Sequence, residues 1–167
     1  MQGKDVDGRV KPGHDQERCV SKDEATEALK RHMGISAMYH FTALVTCLAI
    51  LFYFFTSIEV SKARVKFGVK APATTGNADF ERVFRVQMNT LEWMPIFLPS
   101  LWLFAVYVSD PLAAAIGLLW IAGRILYIVS YSKAANKRGP GFGIQALATV
   151  ALWLGATGAI AWRLLHG

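Results

Sequence analysis

Residues 80–100 read FERVFRVQMNTLEWMPIFLPS and lead without a break into the apolar sequence LWLFAVYV. The stretch begins polar and ends apolar enough to lie in lipid. If it forms one helix, spacings of three, four and three place its polar residues on one narrow stripe. Ionisable groups inside a membrane are costly unless they face protein, water or a ligand, so the stripe predicts a functional site. Its members are Arg82, Arg85, Asn89 and Glu92.

The composition bounds the class of protein. The chain has 167 residues, a formal charge of +6 and 53% hydrophobic residues, which suits one domain. Lys and Arg cluster in two places rather than along a soluble face, which argues against a nucleic-acid partner. Cys19 lies in a polar leader and Cys47 in an apolar run, which argues against a disulfide framework. The four histidines show no metal-ligand spacing, and we predict no metal.

Four apolar runs follow the leader, and each is about long enough to cross a hydrocarbon core of ~30 Å. They predict an all-α membrane protein, a four-transmembrane-helix bundle over residues 34–167. The predicted spans are about 36–60, 79–108, 112–135 and 142–165.

Residues 1–33 form a polar leader without the apolar core of a signal peptide. Two interpretations stay open. The start is over-extended and Met33 or Met38 initiates the protein, or the leader is a disordered tail. In either case we exclude it from the fold.

Local signals predict the ends of the helices. The basic stretch 62–79 contains Pro72 and Gly76 and is predicted to be a surface loop. Asp79 is predicted to cap the second helix, and Asp110 to cap the third. In the fourth span, small residues repeat every four positions and predict close approach of a neighbouring helix. These are Ala151, Gly155 and Ala159.

The distribution of bases predicts orientation. Both basic loops, after the first and third spans, lie on one side, and the single loop on the other side holds no base. The positive-inside rule places the basic loops in the cytoplasm. We therefore expect an integral multi-pass protein of a bacterial inner membrane, with its site near the cytoplasmic face.

The third span carries a second polar face. Tyr127 and Tyr131 follow Arg124 at plus three and plus seven, and Arg138 follows at plus fourteen. At ~1.5 Å per residue, antiparallel packing sets Glu92 near the depth of Arg124, where the two can pair. One interpretation is that this pair only locks the bundle. The surplus of arginines instead favours a ligand with several carboxylates or phosphates.

Two stretches resemble the MAPEG family, the membrane-associated proteins of eicosanoid and glutathione metabolism. They are FERVFRVQMNTLEWMPIF and GRILYIVSYSKAANKRGPGF, and the resemblance extends from about residue 57 to the C-terminus. It implies a homotrimer of four-helix subunits, with glutathione as co-substrate bound between neighbouring subunits. The positions that match glutathione contacts of the family are Arg64, Arg85, Gln87, Asn89, Glu92, Arg124, Tyr127 and Tyr131.

The resemblance also implies a catalytic residue. Arg138 matches the arginine that holds the glutathione thiolate. Trp93 replaces a tyrosine and Val65 replaces an arginine proposed as proton donor in the leukotriene-forming member. These departures argue against opening of a leukotriene-type epoxide with the same acid.

The expected function is a membrane-embedded glutathione transferase or peroxidase acting on lipophilic electrophiles or lipid hydroperoxides, as in detoxification. The main alternative is a non-catalytic lipid-binding protein of the same family. A transporter or channel subunit would need charges along a whole path through the membrane, whereas the stripe occupies one half of it. A purely structural membrane protein would not need the surplus arginines.

Overall fold

The protein is described by a computed structural model over residues 39–133 and 139–167. The predicted leader, residues 1–33, and the predicted catalytic residue Arg138 lie outside these described residues. The described part holds four helices: α1 (His40–Phe67), α2 (Ala78–Tyr107), α3 (Asp110–Lys133) and α4 (Gly139–His166). All four are long and apolar enough to cross a membrane. The prediction of an all-α, four-transmembrane-helix bundle is confirmed.

Helix α1 continues beyond the predicted span and ends at Phe67. The prediction that residues 62–67 belong to a surface loop is wrong. Val60 and Ala63 are buried against Phe80 of α2, which extends the helix into the basic segment. The helix ends where Gly68 adopts a left-handed conformation (φ 68°), which glycine accepts without steric cost.

The N-terminus of α2 is capped by Asn77, and the prediction of Asp79 is wrong. The Asn77 Oδ1 accepts hydrogen bonds from the backbone N–H of Asp79 (2.9 Å) and Phe80 (3.1 Å). Asp79 instead pairs with Arg82, one turn further on. An asparagine in extended conformation just before the first helical residue satisfies two otherwise unpaired donors.

Asp110 begins α3, but its carboxylate binds the N-terminus of α1. Its Oδ1 accepts from the backbone N–H of Thr42 (2.9 Å), and its Oδ2 from that of Phe41 (3.2 Å). These amides have no carbonyl partner within α1, so a carboxylate there also suits the helix dipole. Asp110 thus links the start of α1 to the turn between α2 and α3. The prediction had assigned this side chain to its own helix, α3, and had not included the contact with α1.

The core of the bundle surrounds the apolar half of α2. Phe97 stacks on Trp120 of α3 with ring centroids 4.1 Å apart. Beside this pair, a β-carbon on Gly117 would lie 2.7 Å from Val45 Cγ1 and 3.0 Å from Leu101 Cδ1. The missing side chain at Gly117 therefore lets α1, α2 and α3 meet closely.

Helices α3 and α4 touch backbone to backbone beside the polar stripe. A β-carbon on Gly141 would lie 2.7 Å from Tyr127 Cα, and one on Gly123 would lie 2.9 Å from Gln145 N. The predicted close approach at Gly155 also occurs, against the Phe104 ring. Ala151 is exposed on the surface of the single chain, so no other helix of this chain covers it. Because backbones are less adjustable than side-chain ends, the Gly123–Gly141 contact fixes how α3 and α4 are placed.

Replacing Gly141 with alanine is expected to destabilise the protein by about 1–3 kcal/mol, because the added methyl group must push α4 away from Tyr127. Gly143, two residues on, is the matched control: a β-carbon there would have nothing within 4 Å. Gly143→Ala should be neutral or stabilising, since alanine is the better helix former. Thermal unfolding in detergent, followed by circular dichroism, measures both. Equal unfolding temperatures for the two variants would contradict the assigned contact.

Candidate functional site

The polar stripe of α2 meets α3 at Arg124, which is completely buried. Its Nη1 donates to Asn89 Oδ1 at 2.8 Å and to Gln145 Oε1 at 2.7 Å. One nitrogen therefore links side chains from α2 and α4. This arrangement holds three helices together around one guanidinium.

The second terminal nitrogen of Arg124 is also engaged. Its Nη2 donates to Thr90 Oγ1 and to the backbone carbonyl of Val86 at 3.4 Å. The guanidinium carbon lies 4.9 Å from the centroid of the Tyr127 ring, a distance suited to a cation–π contact. All these partners are neutral, so they hold the positive charge in place without cancelling it.

Glu92 does not pair directly with Arg124, and that prediction is wrong. Among the described residues no ion pair joins the two; the Glu92 Oε2 instead accepts from Asn89 Nδ2 at 3.3 Å. The Arg124 Nη1 is bonded to Asn89 and Gln145 instead. Asn89 therefore stands between the acid and the base, and the Glu92 side chain is exposed on the surface of the single chain.

A cavity of about 370 Å³ opens beside this polar network. It is lined by Asn89 of α2, Tyr127 of α3, and Gly139 and Phe142 of α4. Trp93 meets Phe142 edge to face, with ring centroids 5.5 Å apart. The cavity thus has a mainly apolar lining, which includes the aromatic wall formed by Tyr127 and Phe142, and the Asn89 amide with the buried Arg124 behind it adds a polar group.

The two predicted tyrosines of α3 form a stacked pair. The ring centroids of Tyr127 and Tyr131 lie 5.6 Å apart at an interplanar angle of 13°, and both rings pack against Val86 of α2. Tyr127 borders the small cavity, while Tyr131 borders a larger groove of about 780 Å³ between α1 and α2. The pair therefore stands between the two spaces, as expected from the shared helix face.

Two predicted residues lie apart from this network. Arg64 donates to the backbone carbonyl of Ala73 at 2.7 Å and covers the Phe80 ring, so it supports the loop after α1. Gln87 donates to Ser57 Oγ of α1 at 2.8 Å. In one chain, neither hydrogen-bonds to the Asn89–Arg124 network among the described residues.

Arg85 lies one turn before Asn89 on α2 and is exposed. It makes no hydrogen bond or ion pair with any other residue that the structure describes. The exposed carboxylate of Glu92 lies two turns further along the same helix face, and a guanidinium and a carboxylate spaced in this way suit a ligand that carries both a carboxylate and an amine.

Two members of the network were missed by the sequence analysis: Thr90 and Gln145. Both are completely buried. Gln145 carried a usable signal, because an amide inside an apolar span must find a partner across helices. Thr90 carried none, since a threonine inside a helix commonly bonds its own backbone, and Thr90 also does so through the Val86 carbonyl (2.8 Å).

The chain is similar in sequence to several known proteins. An uncharacterised protein of Synechocystis, sll1147, is 52% identical over 122 residues, covering 73% of this chain and 89% of that protein. Human microsomal glutathione S-transferase 2 is 44% identical over 120 residues, covering 70% and 80% of the two chains. Bovine leukotriene C4 synthase is 38% identical over 96 residues, covering 58% and 64%.

The match to a protein family covers the same region. The model of the MAPEG family matches residues 42–158, which include most of each helix and every described residue of the polar network. With four helices able to cross a membrane, the chain is an integral multi-pass membrane protein. The chain belongs to the MAPEG family.

Proposed function

We propose that the protein is a membrane-embedded glutathione transferase. The observation that carries the proposal is the Asn89 side chain, fixed between Arg124 and Glu92 at the wall of a largely apolar cavity. The similarity to microsomal glutathione S-transferase 2 supports glutathione as the co-substrate. A cavity of this kind brings a charged thiol peptide and an apolar molecule to one place.

Glutathione carries two carboxylates and one amine, and the exposed charges of α2 match them. Arg85 would bind a carboxylate and Glu92 the amine, each in a charge-assisted hydrogen bond. Asn89 and the tyrosine hydroxyls would bind the peptide groups. Arg124, being buried behind Asn89, acts through that residue and through its field.

The remaining predicted contacts fit a site that two subunits share. Arg64 and Gln87 lie apart from the network of their own chain, so in this proposal they reach glutathione bound to a neighbouring copy. An exposed Glu92 near the middle of a membrane-spanning helix also needs protein or ligand against it. A homotrimer, with the site towards the cytoplasmic face of a bacterial inner membrane, satisfies both conditions.

In this proposal Arg138 stabilises the glutathione thiolate that acts as the nucleophile. A thiol with a pKa of about 8.5 is mostly protonated at neutral pH, and only the thiolate is a good nucleophile. A guanidinium beside the sulfur favours loss of the proton to water, because it stabilises the anion. Gly139, the next residue along the chain, lines the cavity, which supports this assignment.

The second substrate would arrive from the lipid past Trp93 and Phe142. In transfer, the sulfur forms a bond to an electrophilic carbon, and the leaving group departs with its electron pair. In the peroxidase variant of the proposal, two glutathione molecules reduce a lipid hydroperoxide to the alcohol and water and become the disulfide. The aromatic wall is suited to an apolar molecule of either kind.

The alternative is a lipid-binding protein without catalysis. The apolar surface of all four helices and the aromatic cavity wall suit lipid equally well. The charged groups distinguish the two functions, because a lipid chain needs neither the exposed charges of Arg85 and Glu92 nor a buried guanidinium beside the cavity.

Equilibrium binding of glutathione to detergent-purified protein tests the proposal. We expect saturable binding and conjugation of a chlorodinitrobenzene, and Glu92→Gln should weaken glutathione binding about tenfold because it removes the partner of the amine. Glu59→Gln is the control, since Glu59 pairs with Lys62 on α1. Lipid binding without any glutathione binding by the wild-type protein would favour the alternative.

A further inference from the structure

Gln145 occupies a position that the proposed chemistry does not yet use. It lies on α4, is completely buried and accepts from Arg124 Nη1 at 2.7 Å. The Gly123–Gly141 contact brings α4 so close to α3 that a β-carbon on Gly123 would lie 2.9 Å from Gln145 N. The close packing of the α3 and α4 backbones therefore places the Gln145 amide within hydrogen-bond distance of the Arg124 guanidinium.

The direction of each hydrogen bond in the network follows from the chemistry of Arg124. A guanidinium only donates, so both Gln145 and Asn89 must turn their oxygen atoms towards Arg124. With its oxygen engaged, Asn89 has only its NH₂ group left for Glu92, which accepts from it. The orientation of Asn89 at the cavity wall is thus set by Arg124, and Gln145 holds Arg124 from the opposite helix.

The chemical type of Gln145 also decides the charge of the site. A glutamate of the same size would hold Arg124 equally well, but would cancel its charge. The amide, together with Thr90, Asn89 and the Val86 carbonyl, contributes no negative charge of its own and leaves the guanidinium of Arg124 positively charged behind Asn89 at the cavity. In a medium of low dielectric constant, such a charge reaches a bound anion with little screening.

We propose that Gln145 is a positioning residue of the glutathione site, which fixes Arg124 against Asn89 with a neutral oxygen and so preserves positive charge for the bound peptide. This inference rests on the proposed function. It predicts that the identity of one residue on α4, which need not touch glutathione, sets the affinity for that anion.

The decisive variant is Gln145→Glu, measured as the full-length protein in detergent. It keeps the acceptor for Arg124, so its unfolding temperature should stay within about 2 °C of wild type. Its Kd for glutathione should rise about tenfold, because the new carboxylate neutralises Arg124. For glutathione diethyl ester, which lacks the carboxylates, the rise should be no more than about twofold, since little anionic charge remains to be attracted.

Two further variants separate positioning from packing. Gln145→Leu removes the acceptor and should weaken glutathione binding while also lowering the unfolding temperature. Thr149→Val is the matched control: Thr149 is buried one turn away and bonds only the backbone carbonyl of Gln145 (3.0 Å) among the described residues. It should lower stability without changing the Kd.

Each result decides something. A wild-type Kd in Gln145→Glu, or an equal loss for glutathione and its diester, would overturn the inference while leaving the proposed function standing. An equal rise of Kd in Thr149→Val would show that general packing sets the affinity. Absence of glutathione binding to the wild-type protein would instead remove the proposed function itself.

Discussion

Arg138→Ala is expected to lower turnover of glutathione with an apolar electrophile about 100- to 1000-fold, the usual loss when one stabilising donor is removed from a developing anion. The Kd for glutathione should change by less than about threefold, because in this proposal the peptide is held mainly by Arg85, Asn89 and Glu92. The physical reason is that the guanidinium acts on the sulfur, whose negative charge appears only when the proton leaves. Turnover at saturating glutathione and the ultraviolet absorbance of bound thiolate measure the effect.

Lys137→Ala supplies the control for this variant. It removes the basic residue that precedes Arg138 in the sequence and should leave turnover within about threefold of wild type if the effect of Arg138 depends on a specific contact rather than on general charge. Arg138→Lys should recover part of the activity through its charge but not the forked geometry of the guanidinium. Full turnover in Arg138→Ala would remove the assigned role.

Arg124→Met should destabilise the protein by about 1–3 kcal/mol, the usual penalty when a buried polar group is left without its hydrogen-bond partner. Methionine fills much of the volume but leaves Gln145 and Asn89 without their donor, and both oxygen atoms lie beside Arg124 inside the bundle. Arg163→Met is the matched control, because Arg163 is exposed and donates only to the Tyr107 carbonyl among the described residues. Thermal unfolding in detergent measures both variants.

A double variant sharpens this prediction. Arg124→Met together with Gln145→Leu replaces both partners by apolar groups. The loss of unfolding free energy in this double variant should therefore be smaller than the sum of the two single losses by about 1 kcal/mol or more. It should nevertheless bind glutathione poorly, since the buried charge is gone. Simple additivity of the two losses would mean that the 2.7 Å contact contributes nothing to stability.

Much of the fold could be predicted from local sequence. The four apolar runs and the turn before Pro111 appear in the structure nearly where the pattern places them. Helix ends were less predictable. Whether residues 62–67 are helical depends on burial of Ala63 against Phe80, a contact between segments that composition does not reveal. The capping role of Asp110 likewise depends on where α1 begins in space.

The site was predictable in its residue types but not in its connections. Helical spacing places Asn89 and Glu92 on one face and aligns Arg124 with the two tyrosines. Depth alone then favoured a Glu92–Arg124 ion pair. Depth along the helix axis does not specify which of two side chains on the same face reaches Arg124. The structure shows that Asn89 reaches it and that Glu92 bonds Asn89.

By itself the sequence determined the membrane class, the four spans and the presence of more guanidinium charge than nearby acids neutralise. These follow from hydropathy, length and periodicity, which are properties of short segments. Only the tertiary structure decided which groups hold that charge. The backbone contact of Gly123 with Gly141 brings Gln145 of α4, 21 residues further along the chain, to Arg124. A hydrogen bond depends on tenths of an ångström and on direction, and such geometry is fixed only when helices distant in sequence pack together.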